Sequence, residues 1–255
     1  MSEGSTEQVV SHVRTLIERG SLRPGDRLPA ERELAHQIGV SRPTVRAGLR
    51  ALAAMGVVRP RHGSGTYIPD GPPTLGSEPL SFLAALHGFT REEMYEARRI
   101  LEVGAAGLAA ERATPEQLAT LAEDVASLFA TMHDPQRFLV HDIDFHRTIA
   151  AASGNQIVAS IVEMVAGLYY GRRRQTAERA SDRDLRDAAE MHRRIYQAIR
   201  SRDAEAARRA MHEHLIQAST HQAQEPPEPP PSVARPTAPG PRRAGARAPR
   251  RPRSH

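Results

Sequence analysis

The segment from Leu28 to Thr66 constrains the fold more than any other part of the sequence, because it carries signals for two short helices, a tight turn and a hairpin. Pro29 is suited to the first position of a helix, where its missing N–H is not needed. Gly39 is suited to the end of that helix, and Ser41 to the cap of the next one. Two β-prone runs, Val57 to Pro60 and Thr66 to Ile68, follow the second helix and are joined by the glycine-bearing loop Arg61 to Gly65. The segment therefore predicts a winged helix-turn-helix.

The second helix of this segment has two faces of different chemistry. Val45, Leu49 and Leu52 recur at helical spacing and predict its buried side. Arg42 and Arg46 are four residues apart and lie together on the opposite side. Two arginines on one helix face are often only a solvated surface, but the helix-turn-helix context favours contact with DNA.

Beyond residue 79 the sequence favours helix almost throughout. Stretches rich in Ala, Leu, Arg and Glu alternate with short breakers, as at Thr114-Pro115 and Asp134-Pro135. We predict a mainly α chain, in which an antiparallel bundle of six or seven helices follows the N-terminal domain. The predicted parts are a winged helix-turn-helix at residues 1–70, a linker at 71–79, the helical bundle at 80–221 and a disordered Pro/Arg-rich tail at 222–255.

Charge is distributed unevenly along the chain. The formal net charge is +5, but residues 71–221 alone carry −3, whereas residues 1–70 carry +3 and residues 222–255 carry +5. This asymmetry suits a DNA-binding head on a body that does not bind DNA. The absence of cysteine excludes disulfides and cysteine metal sites. Without a long apolar run or a signal-peptide pattern, the sequence predicts a cytoplasmic protein with no membrane partner.

Four polar residues stand within apolar stripes of the predicted bundle. Asp142 and His146 are four residues apart on one helix, so both can point inward, and His192 and His214 lie on two later helices. One carboxylate and three imidazoles suit a divalent transition metal, with zinc or nickel the expected ion. The chain has 12 histidines, so spacing alone is a weak signal, and ordinary core or surface histidines are the alternative.

The N-terminal segment resembles the winged-helix domain of the GntR family of bacterial transcription regulators over roughly residues 6–70. The matching stretches are Pro24 to Ala35, Gly39-Val40-Ser41-Arg42, Thr44-Val45-Arg46 and Gly63-Ser64-Gly65-Thr66. The resemblance implies that the helices and the wing tip contact DNA through Arg32, Arg42, Thr44, Arg46, His62 and Gly63. In that family the wing tip reaches the minor groove.

One position departs from the family pattern. Family members usually carry Glu-Ala after the second recognition arginine, whereas this chain has Ala47-Gly48. A glycine inside a helix costs up to ~1 kcal/mol relative to alanine. We therefore expect Gly48 to weaken the second helix locally without changing the fold.

Residues 80–220 resemble the FCD ligand-binding domain found in the FadR-type branch of the same family. The matches are Glu96-Ala97-Arg98, Leu101-Glu102, Asp142, Phe145-His146, Ala152 to Asn155, His192, Ala198-Ile199, Arg202-Asp203 and His214-Leu215. The resemblance implies that Asp142, His146, His192 and His214 bind the metal, and that Arg98 and Asn155 line the same effector-binding cavity. For Arg98 the alternative is a helix-surface pair with Glu102.

An arginine beside a Lewis-acidic metal suits a small carboxylate. We therefore expect a homodimeric regulator, more often a repressor in this family, that reads an inverted repeat in double-stranded DNA and senses a small organic acid. Hydroxy acids, keto acids and sugar acids are all open. The alternatives from other classes are a metal-dependent hydrolase that uses the Asp/His site and an architectural DNA binder without a sensor. A hydrolase would leave the helix-turn-helix without a role.

Overall fold

The computed structural model of the chain describes residues 5–70 and 77–223. Most of the predicted linker and nearly all of the predicted disordered tail lie outside these described residues. Within them, the chain is mainly helical and has one two-stranded sheet. No helix in the same ranges is long and apolar enough to cross a bilayer. The predicted fold class is confirmed.

The N-terminal part is a helix-turn-helix followed by a small wing. Its elements are α1 (Ser5–Glu18), α2 (Glu31–Ile38), α3 (Arg42–Ala54), β1 (Arg59–Arg61) and β2 (Gly65–Tyr67). Gly39 ends α2 with a φ of 77°, in the left-handed region that glycine adopts readily. Ser41 caps α3, because its Oγ accepts a hydrogen bond from the backbone N–H of Thr44 at 3.3 Å. The two strands are antiparallel, with Pro60 opposite Thr66.

Two local predictions were wrong in their boundaries. Pro29 does not open α2, which begins at Glu31 after an extended Ala30 at the cap position. Pro29 instead lies immediately before the cap position, outside the helix. The wing loop is also shorter than predicted, since Arg61 and Gly65 pair with each other and the turn is His62-Gly63-Ser64.

Gly48 lies where α3 crosses α1 at very short range. A Cβ added to Gly48 would lie 2.5 Å from Cβ of Val9 and 2.6 Å from its Cγ1. Val9 is fully buried in the core that α1 shares with α2, α3 and the wing. The glycine therefore has a packing reason that helix propensity did not indicate.

The second part is a bundle of seven α-helices within residues 77–223. They are α4 (Glu78–His87), α5 (Arg91–Arg112), α6 (Pro115–Ala130), α7 (Pro135–Ala152), α8 (Gln156–Arg173), α9 (Asp182–Arg200) and α10 (Ala204–Ala223), with a short 3-10 helix at Ala177–Arg179. Helix α5 is central, because it packs against α7, α8, α9 and α10. The fully buried side chains include Tyr95, Leu121, Leu128, Phe145, Ile149, Ile195, Ile199, Met211 and Leu215.

The starts of these helices follow from local chemistry. Thr90, Thr114 and Ser181 each accept a hydrogen bond from the third residue of their helix, whose side chain bonds back to the cap. Pro115 and Pro135 occupy first-turn positions, as the breakers in the sequence predicted. The caps fix where α5, α6 and α9 begin, and Pro135 marks the start of α7. Helices α5, α7 and α9 carry most of the polar side chains of the buried cluster.

Candidate functional site

Four buried polar side chains converge from three helices of the bundle. Asp142 and His146 come from α7, His192 from α9 and His214 from α10. One ligand atom from each residue lies within 4.8 Å of those of the other three. The sequence predicted this group as metal ligands, and the structure brings all four together.

The ring nitrogens of the cluster are oriented by contacts on their outer side. Nδ1 of His192 donates to the backbone carbonyl of Ala188 at 2.7 Å, and its Nε2 faces Asp142. That Nε2 lies 3.0 Å from Oδ1 of Asp142. Nε2 of His146 and Nε2 of His214 lie 3.2 Å apart. The Nε2 atoms of all three imidazoles therefore face the interior of the cluster.

The chemistry of this donor set fits a divalent transition metal. Nε2 of His192 and Oδ2 of Asp142 are buried and have no hydrogen-bond partner among the described residues. Burial, followed by the neighbouring His192 and His146, lowers the pKa of His214 well below its ordinary value. Burial acts to raise the pKa of Asp142, but His192 and His146 outweigh it and lower that pKa. A neutral imidazole and an ionised carboxylate are the forms that bind metal.

Glu102 of α5 connects this cluster to Arg98. Nε of Arg98 donates to Oε1 of Glu102 at 2.6 Å, and Nη2 donates to Oε2 at 3.3 Å. The same Oε2 lies 2.6 Å from Nδ1 of His146. Burial acts to raise the pKa of Glu102, but Arg98 and His146 outweigh it and lower the pKa to about 2. Glu102 is thus an ionised carboxylate held between an arginine and a candidate metal ligand.

Arg98 is enclosed by aromatic rings as well as by Glu102. Its Cζ lies 4.4 Å from the ring centroid of Tyr169 and 5.6 Å from that of Tyr95. The hydroxyl of Tyr169 accepts a hydrogen bond from the side-chain amide of Gln222 at 3.0 Å. Burial is the largest cause that raises the pKa of Tyr169 above its ordinary value, so the phenol is neutral. Arg98 does form the i,i+4 pair with Glu102, but in the interior and not on the helix surface.

A cavity of about 80 Å³ opens beside the cluster. Asp142, His214 and Tyr169 line it, together with Arg173 and Gln222. Arg98 lies behind Tyr169 and does not line this cavity, contrary to what the resemblance implied. Asn155 does not line it either, because its Oδ1 accepts the backbone N–H groups of Ile157 and Val158 and caps α8. Asn155 is thus engaged in capping α8 and is not part of the lining of this cavity.

The arginine face of α3 is exposed and already has an acidic partner. Arg42 and Arg46 each expose more than half of their side chains. Nε of Arg46 donates to Oε2 of Glu31 at 2.8 Å, and Nη2 of Arg42 lies 3.9 Å from the same oxygen. Arg50 is also exposed, one further turn along α3. The sequence analysis did not single out Glu31 or Arg50, although the spacing of Arg50 four residues after Arg46 was a usable signal.

The remaining predicted DNA contacts lie on the same domain. Arg32 on α2 is exposed, and so are His62 and Gly63 in the wing turn. Oγ1 of Thr44 lies 2.8 Å from Oγ of Ser41, within the capping interaction of α3. Arg61 in β1 stacks on Tyr67, with Cζ 4.5 Å from the ring centroid.

Comparison with known proteins gives the family of both parts of the chain. The model for bacterial regulatory proteins of the gntR family matches residues 5–68, and the FCD domain model matches residues 93–217. A putative L-lactate dehydrogenase operon regulatory protein of Escherichia coli is 33% identical over 82% of this chain and 83% of its own length. The HTH-type transcriptional repressor NanR of Klebsiella aerogenes is 31% identical over 82% of both chains.

A solved structure agrees with these sequence matches. The protein described as Streptococcus agalactiae GntR is 30% identical, covers 85% of this chain and 99% of its own, and superposes with a TM-score of 0.63. The family and the named relatives are DNA-binding transcriptional regulators and not enzymes. The chain has a winged helix-turn-helix with an exposed arginine face, and an FCD bundle with a buried Asp/His cluster follows it. It therefore belongs to the gntR family of bacterial transcriptional regulators.

Proposed function

We propose that this protein is a homodimeric repressor that releases an inverted-repeat operator when a small organic acid binds a metal held in its FCD domain. The observation that carries the proposal is the buried cluster of Asp142, His146, His192 and His214, which Glu102 joins to Arg98. A transcriptional regulator without a sensory ligand would gain nothing from burying one carboxylate among three imidazoles. We place the protein in the cytoplasm because its DNA partner is there.

Zinc or nickel is the ion that suits this donor set. Three imidazole nitrogens and one carboxylate oxygen favour these ions over calcium and magnesium, which prefer shells of oxygen ligands. A divalent ion would supply a Lewis acid to which a carboxylate can bind, and Asp142 and His214 line the adjacent cavity. His192 is positioned by its own backbone hydrogen bond at Nδ1, as ligating histidines commonly are.

A compact carboxylate is the effector that the site suits best. The cavity of about 80 Å³ lies directly against Asp142 and His214, so a small acid in it can reach a metal held by the cluster. Small hydroxy and keto acids are therefore the class to test first. The E. coli relative named for the L-lactate dehydrogenase operon supports the same class, and the relative named a repressor supports negative regulation. Arg98 would act from behind Tyr169, whereas Asn155 caps α8 and is outside the lining of the cavity.

The two parts of the chain divide these tasks. We propose that residues 1–70 bind DNA, that residues 71–79 link the parts and that residues 80–221, extended to the end of α10 at Ala223, bind the effector. Arg32, Arg42 and Arg46 would contact the operator from the helices, with Thr44 beside them and with His62 and Gly63 at the wing tip. A metal-dependent hydrolase is not retained, because the family and the relatives are regulators.

Acid-dependent release of DNA is the direct test of this proposal. With the operator bound by zinc- or nickel-loaded protein, we expect a panel of L-lactate, pyruvate and similar acids to contain at least one that weakens binding by about 5- to 150-fold, the usual range of coupling between two sites. The same acid should have no effect after treatment with a chelator. Fluorescence anisotropy at fixed salt measures both states. An acid that acts equally on metal-free protein would contradict the role of the metal.

Replacing Arg46 with alanine tests DNA recognition separately. We expect this change to weaken operator binding by ~1–3 kcal/mol, because a bidentate arginine contact to a base edge is lost. Arg183→Ala is a matched control, since Arg183 on α9 is largely exposed and belongs to the helical domain. A gel-shift titration of both variants at one salt concentration decides the point. Unchanged operator affinity of Arg46→Ala would remove this arginine from the proposed interface.

A further inference from the structure

We propose that Glu102 makes acid binding conditional on the metal, because it orients one metal ligand and at the same time neutralises the buried arginine. This inference rests on the proposed function and adds to it the residue that couples the two ligands. Glu102 is here a positioning residue, since it lies behind His146 and Arg98 and not in the cavity itself.

Glu102 touches both groups through the same carboxylate. Its two oxygens accept Nε and Nη2 of Arg98 at 2.6 Å and 3.3 Å, which occupies one edge of the guanidinium. Oε2 also contacts Nδ1 of His146 at 2.6 Å. Exposed fractions of 4% for Glu102, 4% for Arg98 and 2% for His146 place the whole triad away from solvent. Such a carboxylate has little freedom to change partners while the bundle is folded.

The contact of Glu102 with His146 orients this histidine as a metal ligand. Nδ1 of His146 lies against Glu102, whereas its Nε2 lies on the side of the cluster, 3.2 Å from Nε2 of His214. A carboxylate behind a ligating histidine fixes its tautomer and raises its basicity, and loss of such a partner commonly weakens metal affinity by about 10- to 100-fold.

The contact with Arg98 changes the charge that an incoming acid meets. Within the buried cluster, the positive charge of Arg98 is matched by Glu102, and the negative charge of Asp142 is left over when the imidazoles are neutral. A carboxylate effector would therefore enter a site with an excess negative charge. A divalent ion reverses the sign, so an anion is attracted only after the metal has bound. Arg98 alone cannot recruit the acid while Glu102 is ionised beside it.

The Glu102→Gln variant tests both halves of the inference. Competition with a chromophoric chelator should show zinc affinity about 10- to 100-fold below that of the wild type. In metal-free protein, ¹³C-acetate, chosen as the smallest carboxylate probe, should bind the variant, because its buried cluster no longer carries an excess negative charge, and should not bind the wild type. Glu163→Gln is the matched control, since Glu163 pairs with Arg147 away from this cluster. It should leave zinc affinity and acetate binding unchanged.

A double variant keeps the test valid if the single variant folds poorly. Glu102→Gln leaves Arg98 buried without its partner, which is destabilising, whereas Arg98→Gln with Glu102→Gln removes both charges together. The double variant should retain the weakened zinc affinity and should lose acetate binding by metal-free protein. Binding to the single variant but not to the double variant shows that the acid responds to the charge of Arg98.

The possible results separate this inference from the proposed function. Zinc affinity of Glu102→Gln equal to that of the wild type overturns the inference, and so does acetate binding by metal-free wild type or its absence in the metal-free single variant. Failure of the wild type to bind zinc or nickel at all overturns the proposed function and the inference with it. Normal metal binding with no DNA release by any acid defeats the proposed function only.

Discussion

Replacing His192 with alanine is expected to remove the bound metal and to abolish the response to acid, while operator binding is kept. His192 is fully buried and contributes one of the four candidate ligands. A ligand bound only to the folded state adds about 2.7 to 4.1 kcal/mol to stability when its concentration is 100 to 1,000 times Kd. Elemental analysis and calorimetry of the full chain measure the two losses.

The exposed histidine of α10 provides the control for this substitution. His212 lies two residues before His214 but faces solvent, so His212→Ala should keep the metal and the melting temperature. A chelator should lower the melting temperature of the wild type and of His212→Ala, and should not change that of His192→Ala. Equal effects of the chelator on all three proteins would show that the metal does not bind at this cluster.

Replacing Gly48 with alanine is expected to destabilise the winged helix by about 1–3 kcal/mol, as overpacked cores usually are. The added Cβ would meet Val9 at 2.5 Å, and neither helix can move without disturbing the core of α1 and α3. The sign of this change in stability is informative, because replacing glycine with alanine inside a helix otherwise stabilises the helix by up to ~1 kcal/mol.

Gly104 in α5 provides the control, because it is a helical glycine at which alanine would meet no neighbouring side chain. A Cβ added there has nothing within 4 Å, so Gly104→Ala should be neutral or stabilising. Hydrogen–deuterium exchange of α1 and α3 in the full chain reports the local stability of the winged helix. Slower exchange in Gly48→Ala would show that propensity outweighs packing at this crossing.

Local signals in the sequence were sufficient for much of the fold. Ser41, Thr114 and Asp134 mark helix starts through contacts with residues three positions away, and such contacts can be predicted from spacing. The seven helices of the bundle fall within the predicted number for the same reason. Pro29 and the wing loop were misplaced because element boundaries depend on cap geometry, which a propensity pattern does not specify.

The candidate site was predictable only in part. Asp142 and His146 share a helix face by spacing alone, but the partners of Arg98 depend on how α5 packs against α7 and α8. The sequence allowed two interpretations of Arg98, an interior residue of the effector site or a helix-surface pair with Glu102. Arg98 does pair with Glu102, but it does so in the interior beside Tyr169. Tyr169 and Gln222 are 53 residues apart in sequence, so no local pattern indicated their hydrogen bond.

Glu31 has a consequence for how this protein finds its target on a chromosome. Both recognition arginines approach the same carboxylate oxygen in the DNA-free protein. An exposed ion pair of this kind contributes only about 0.2–1 kcal/mol. A bidentate contact between arginine and guanine is stronger than this pair, whereas a contact with a single phosphate is comparable to it. If Arg42 and Arg46 contact DNA as proposed, Glu31 would shorten the residence of the protein on random sequence and would leave more molecules free to search for the operator.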